Sequence, residues 1–189
     1  MTDISAPRTG PFLATHRGMF DTPQPPPEPP PDQMQGGLAE ADKRATFIRL
    51  VFDSDERRYE AFRQAIVDAV PPGTRAVVRG SAVTGVRWKD GASFDADGPG
   101  TSDIDLTLVG ADVLAAFTVT GSYLPGVHTR PMGEEDPDIA PALADLRAEL
   151  TAMAGRPVNV QASRDWVIQL RGDLIGQPYL TLIDSEPPA

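Results

Sequence analysis

Apolar and polar positions along this chain recur with two different periods, and the switches between them outline its elements. Over residues 38–51, Ala41, Ala45 and Ile48, continued by Phe52, recur at helical spacing and predict a first helix. Asp53 then reads as an N-cap with Glu56 as its capping-box partner, and Tyr59, Phe62, Ile66 and Val70 predict the apolar stripe of a second helix. Pro71, Pro72 and Gly73 stop that helix. Residues 75–79 form an apolar strand-like run, and residues 104–109 form another. Between them, Gly80-Ser81 makes a turn, with a short helix expected from Ala82.

The second half is read the same way. A short helix is expected over 111–117, and a strand near 127–131. A longer helix is expected over 137–154, with Ile139, Leu143, Leu146, Leu150 and Met153 on its buried side and Gly155 as its stop. In residues 157–162, Val158 and Val160 alternate with Asn159 and Gln161, as a half-buried strand does. Val167, Ile168 and Leu170 mark one more strand or short helix, and Tyr179, Leu180, Leu182 and Ile183 a late apolar stretch. The pattern predicts an α+β domain over residues 38–186: a mixed β-sheet with helices packed mainly on one face. Residues 1–37 differ. The prolines between Pro23 and Pro31 favour an extended tail, with Phe12, Leu13, Met19 and Phe20 as candidate anchors on the domain surface.

The candidate chemistry lies at the mouth of the strand 104–109. Strand side chains alternate with period two, so Asp103 and Asp105 point the same way. Two carboxylates placed together repel unless a cation lies between them. Oxygen-only ligands suit magnesium or manganese better than zinc. Gly80 permits a close backbone approach, and Ser81 offers a hydroxyl and an amide to a phosphate. Arg79, Arg87 and Lys89 bring positive charge to this point, with Arg79 and Lys89 taken as candidate phosphate ligands. Trp88 and Phe94 are candidates for stacking on a base or for anchoring the long loop. Thr101 or Ser102 could orient a carboxylate, and Arg130 is a further phosphate candidate.

The order Gly80-Ser81, then Asp103-Ile104-Asp105, each beside a short apolar strand, resembles the polymerase-beta-type nucleotidyltransferase superfamily. The resemblance covers residues 75–110. It implies a nucleotidyltransferase-like sheet, nucleotide phosphates on Gly80 and Ser81, and Mg2+ or Mn2+ on Asp103 and Asp105. The implied reaction moves a nucleoside monophosphate from a nucleoside triphosphate to a hydroxyl acceptor, with release of pyrophosphate. This chain departs from the pattern twice. The interval between Ser81 and Asp103 is longer than usual, and the strand expected to carry a third carboxylate offers Asn159 and Gln161 instead. If a third acid completes the site, Asp136 or Asp165 is expected ahead of Asp95 or Asp97. Without one, the alternative is a catalytically inactive domain of the same fold that binds a nucleotide or a partner protein.

Charge and composition narrow the partners. A net charge of −10 repels phosphate backbones, so long nucleic acid is a disfavoured acceptor, and a small molecule or a protein is expected. The chain has no cysteine and hence no disulfide or thiolate chemistry. No apolar run approaches the roughly 18 residues of a membrane span. The first twenty residues lack the apolar core of a signal peptide, so a cytoplasmic protein is expected. The sequence leaves the oligomeric state open.

Overall fold

A computed structural model describes residues 38–184. The proline-rich segment 1–37 and its candidate anchors lie outside the described residues. The fold is mixed α+β, built on a six-stranded mixed sheet. Helices α1 (Glu40–Phe52) and α2 (Glu56–Ala69) precede strand β1 (Arg75–Arg79). A one-turn helix α3 (Ser81–Thr84) follows, and then a long loop runs to β2 (Ile104–Val109). After α4 (Ala111–Ala115) come the short strands β3 (Ser122–Leu124) and β4 (His128–Thr129). Helix α5 (Ala144–Ala154), β5 (Val158–Ser163), α6 (Asp165–Asp173) and β6 (Tyr179–Ile183) complete the chain. The strand order is β3-β4-β5-β2-β1-β6. The central pair β2 and β5 is parallel, and β1 runs antiparallel to β2.

Period-two alternation divides the sheet into two unlike faces. Ala76, Val78, Leu106, Leu108, Val158, Val160, Leu180 and Leu182 face α1, α2 and α5 and form the main core. There Phe47, Phe52, Tyr59 and Phe62 meet edge-on or tilted, with ring centroids 5.4–6.3 Å apart. The other face has a small core of Val77, Val109 and Ile168 against Tyr179, with α6 as its cover. Toward one end of that face Arg79, Asp105 and Asn159 stay partly exposed, while Thr107, Gln161 and Ser163 are buried.

Several local expectations are corrected. Asp53 does not cap the second helix. It closes α1 in a left-handed conformation, and Asp55 is the N-cap, accepting from the Arg57 and Arg58 amides. Two acids lie within three positions of Glu56, and helix geometry uses the nearer. The helix expected over 137–154 is broken into 3-10 turns at Pro137–Ile139 and Pro141–Leu143 before α5. Pro141 has no amide to continue an α-helical ladder. Arg58 and Arg63 donate to the carbonyls of Met153 and Leu182 and tie α2 to α5 and β6. The strand expected near 127–131 is shorter, with Met132 rejoining the sheet opposite Val160.

Candidate functional site

The open face of the sheet brings five sequence-selected positions together. Asp105 on β2 is paired in register with Arg79 on β1 and with Asn159 on β5. Asp103, just before β2, shares that face by alternation. Its Oδ2 accepts from Asn159 Nδ2 at 2.6 Å. Gly80 closes the row at φ 80°, where a side chain would be strained. A Cβ there would stand 3.3 Å from Asp105 Oδ2, so glycine is what lets the β1–α3 turn approach the acid. Ser81 opens α3 immediately afterwards.

The electrostatics are those of a charged pair at the edge of a dry sheet. Burial raises the Asp105 carboxyl above the ordinary range, and Asp103 raises it further. Arg79, the Asn159 amide and Arg171 pull in the opposite direction. Burial also lowers Arg79, to about 10, aided by repulsion from Arg171 and opposed by Asp105. Arg79 therefore stays cationic near neutral pH. Asp103 itself is exposed, so the pair has one wet and one partly desolvated member.

The other expected residues are not gathered here. Lys89 sits in an exposed turn, and among the described residues no hydrogen bond or ion pair ties it to the acids. Arg87 is engaged with Asp97 at 2.9 Å. Trp88 is exposed and Phe94 anchors the loop against the core, so the two aromatics do not form a shared stacking surface. Ser102 and Thr101 do not orient Asp103. Ser102 Oγ accepts from the Asp95 amide, and Thr101 Oγ1 donates to the Gly98 carbonyl. Arg130 pairs with Asp136 at 3.2 Å. Both loop acids expected to complete the site are placed elsewhere: Asp136 in that pair, and Asp165 on Arg75 at 2.6 Å, at the far end of β1. Among the described residues, no group of three or more His, Cys, Asp or Glu is arranged to hold a metal. Asn159 occupies the position on the parallel neighbour where a third acid was sought.

The long loop before Asp103 is held by a part-buried ion pair. Arg156 Nη1 donates to Asp95 Oδ1 at 2.9 Å, and its guanidinium carbon lies 4.4 Å from the Phe94 ring centroid. Burial alone would raise Asp95, but Arg156 and the amides of Ser102 and Gly100 outweigh it and hold the carboxyl at about 2. A folded value near 2 against an ordinary 3.8 means stability that is fully present above about pH 4 and lost as pH falls toward 2. The difference corresponds to about 2 kcal/mol. Asp95→Asn is expected to lose about that much at pH 7 and to flatten the acid limb between pH 4 and 2. Urea unfolding across that range measures it, and an unchanged acid limb would contradict the assignment.

No family model, curated protein or solved structure matches this chain. A cleft of about 470 Å³, lined by Arg75, Val109, Gly110, Arg164, Trp166 and neighbours, lies at the opposite end of β2. Four residues of strand, roughly 13 Å, separate Val109 from Asp105. That cleft has no paired acids. Arg171 is the site neighbour that sequence reading missed. Its signal is positional: it follows Ile168 by three residues and so shares the helix face turned to the sheet.

Proposed function

We propose that the protein is a metal-dependent nucleotidyltransferase of the polymerase-beta-like type, which moves a nucleoside monophosphate from a nucleoside triphosphate to a hydroxyl acceptor. The carrying observation is the row Gly80, Asp105, Asn159 and Asp103, in which a turn able to approach closely meets two carboxylates on one sheet face. The donor set fits a hard cation: two carboxylates and an amide oxygen from Asn159, whose amide already touches Asp103. Asp103 and Asp105 would hold Mg2+ or Mn2+, which when bound offsets charge on the phosphate oxygens.

The chain's own residues supply the rest. Gly80 and Ser81 hold the β and γ phosphates, with Arg79 beside them as the nearest cation. The acceptor oxygen bonds to the α phosphorus, the bond to the β-phosphate oxygen breaks, and pyrophosphate leaves. The hydroxyl proton goes to a carboxylate of the pair, because the Asn159 amide has no basic site to accept it. A net charge of −10 favours a small molecule or a protein over long nucleic acid as acceptor.

Calorimetry with each nucleoside triphosphate and magnesium tests this reading. Asp103→Ala combined with Asp105→Ala is expected to weaken binding at least about tenfold, or about 1.4 kcal/mol. Equal binding by both proteins would sink the site. The bond between Asn159 and Asp103 favours a second reading, a nucleotide-binding module of the same fold that does not catalyse. Labelled α phosphate separates the two: transfer to an acceptor with release of pyrophosphate marks the enzyme.

A further inference from the structure

The parallel strands β2 and β5 end side by side, with Val109 paired in register with Ser163. Their continuations part. The chain leaving β2 turns into α4, whose Val113 and Leu114 join the main core on one face of the sheet. The chain leaving β5 turns into α6, whose Ile168 packs on the other face. Adjacent parallel strands whose exits go to opposite faces leave a crevice outside their carboxyl ends, and in open sheets ligands bind in such a crevice. The cleft of about 470 Å³ lies there, lined by Gly110 from the first exit and by Arg164, Asp165 and Trp166 from the second. Its size falls within the roughly 300–1,000 Å³ of small-molecule sites.

The walls of this cleft are already anchored. Arg75 Nη1 donates to Asp165 Oδ1 at 2.6 Å, and Gln169 Nε2 donates to Asp165 Oδ2 at 2.8 Å. Both oxygens of the one acid that lines the cleft are thus engaged. Arg164 Nε donates to the Gly126 carbonyl at 2.9 Å, which anchors its guanidinium and leaves Nη1 and Nη2 for a ligand. Among the described residues Arg164 forms no ion pair within 4.0 Å, although a chain of net charge −10 has acids to spare. Trp166 is 55% exposed. The second exit therefore sets an open indole and an unpaired guanidinium on the wall of one cleft.

We propose that this cleft binds a planar aromatic carboxylate, with its ring on Trp166 and its carboxylate on Arg164. Two N–H donors of one guanidinium match the two oxygens of one carboxylate. The indole face takes a flat ring better than a puckered aliphatic one. The cleft is at the other end of β2 from the acid pair, and binding there needs neither the metal nor the transferase reading.

The test titrates benzoate, cyclohexanecarboxylate and benzamide into the full chain by NMR. The indole N–H of Trp166 reports the place of binding, and the ligand's own resonances report affinity. The chain has two tryptophans, so Trp88→Phe identifies the Trp166 signal. Saturable benzoate binding with a Kd on the order of millimolar is expected, as fits a ligand of so few atoms. Cyclohexanecarboxylate, which lacks the flat ring, and benzamide, which lacks the charge, should each bind at least about fivefold more weakly. Trp166→Ala is expected to weaken benzoate binding at least about tenfold. Arg164→Gln should weaken benzoate to a similar degree and leave benzamide unchanged. The variant Asp103→Asn with Asp105→Asn should bind benzoate as wild type does, even if magnesium-nucleotide binding proves absent. That combination would remove the transferase reading and leave this site standing. A Trp166 signal that benzoate does not shift saturably, cyclohexanecarboxylate or benzamide binding as tightly as benzoate, or wild-type benzoate affinity in folded Trp166→Ala or Arg164→Gln would each overturn the proposal.

Discussion

Arg156→Ala is expected to cost about 1.5–3 kcal/mol, the usual worth of hydrogen bonds to a charged group, here in a part-buried ion pair. Arg156 is 9% exposed at its side chain and engages three segments at once. Nη1 serves Asp95 and the Ser102 carbonyl, and Nη2 reaches the Leu50 carbonyl at 3.4 Å. Its removal leaves the Asp95 carboxylate without its cation and Phe94 without the overlying guanidinium. The loop that ends at Ser102 leads directly into Asp103, so loosening it should also blur the acid pair and weaken magnesium-nucleotide binding. Arg156→Lys keeps the charge but loses the planar fork, and should recover less than half of the stability. Denaturant midpoints measure both variants. A loss below about 1 kcal/mol in Arg156→Ala would show that the loop is held by something else. The Asp95→Asn effect is part of the same interaction, so the two losses should not add.

The legible parts of this fold were those set by near neighbours in sequence. Leu106 and Val160 belong to runs whose alternation gives both strand and face. The Tyr59, Phe62 and Ile66 stripe gives α2 in the same way. The acid pair and the Gly80 turn were readable because each is a local pattern, and their meeting required only that β1 and β2 be adjacent. What failed depended on partners distant in the chain. Asp136 and Asp165 are equally acidic in sequence, but Arg130 and Arg75 decide where each points. Arg156 and Asp95 lie 61 positions apart, with no local sign of their pairing. Arg171 was passed over because its role depends on α6 crossing the open face toward Arg79. The register that puts Asn159, rather than Gln161, beside Asp105 comes from the parallel pairing of β2 with β5. A slip of two residues would have put Gln161 there. Instead Gln161 bonds to Thr107 at 2.8 Å and fills the next row.

Asn159→Asp is expected to convert the acid pair into a three-carboxylate site and to raise Mn2+ affinity at least tenfold, or by about 1.4 kcal/mol. Asn159 is already in place: its amide is bonded to Asp103, and its Cα is paired in register with Asp105. The change from amide to carboxylate keeps the shape and replaces a donor with a third negative charge. Without metal, the substitution removes the bond that now separates the acids and adds repulsion at short range. The metal-free protein should therefore lose about 1 kcal/mol, the net worth of a typical hydrogen bond. Manganese should restore most of that loss by binding the folded state. Thermal unfolding with and without Mn2+, alongside a titration followed by electron paramagnetic resonance, reads both effects. If the site belongs to a transferase, the variant should also turn over at least as fast as wild type, because the new carboxylate can accept the hydroxyl proton that Asn159 cannot. Unchanged Mn2+ affinity in a folded Asn159→Asp protein would mean that Asp103, Asp105 and position 159 do not face a common ion, and the metal-dependent reading would fall with it.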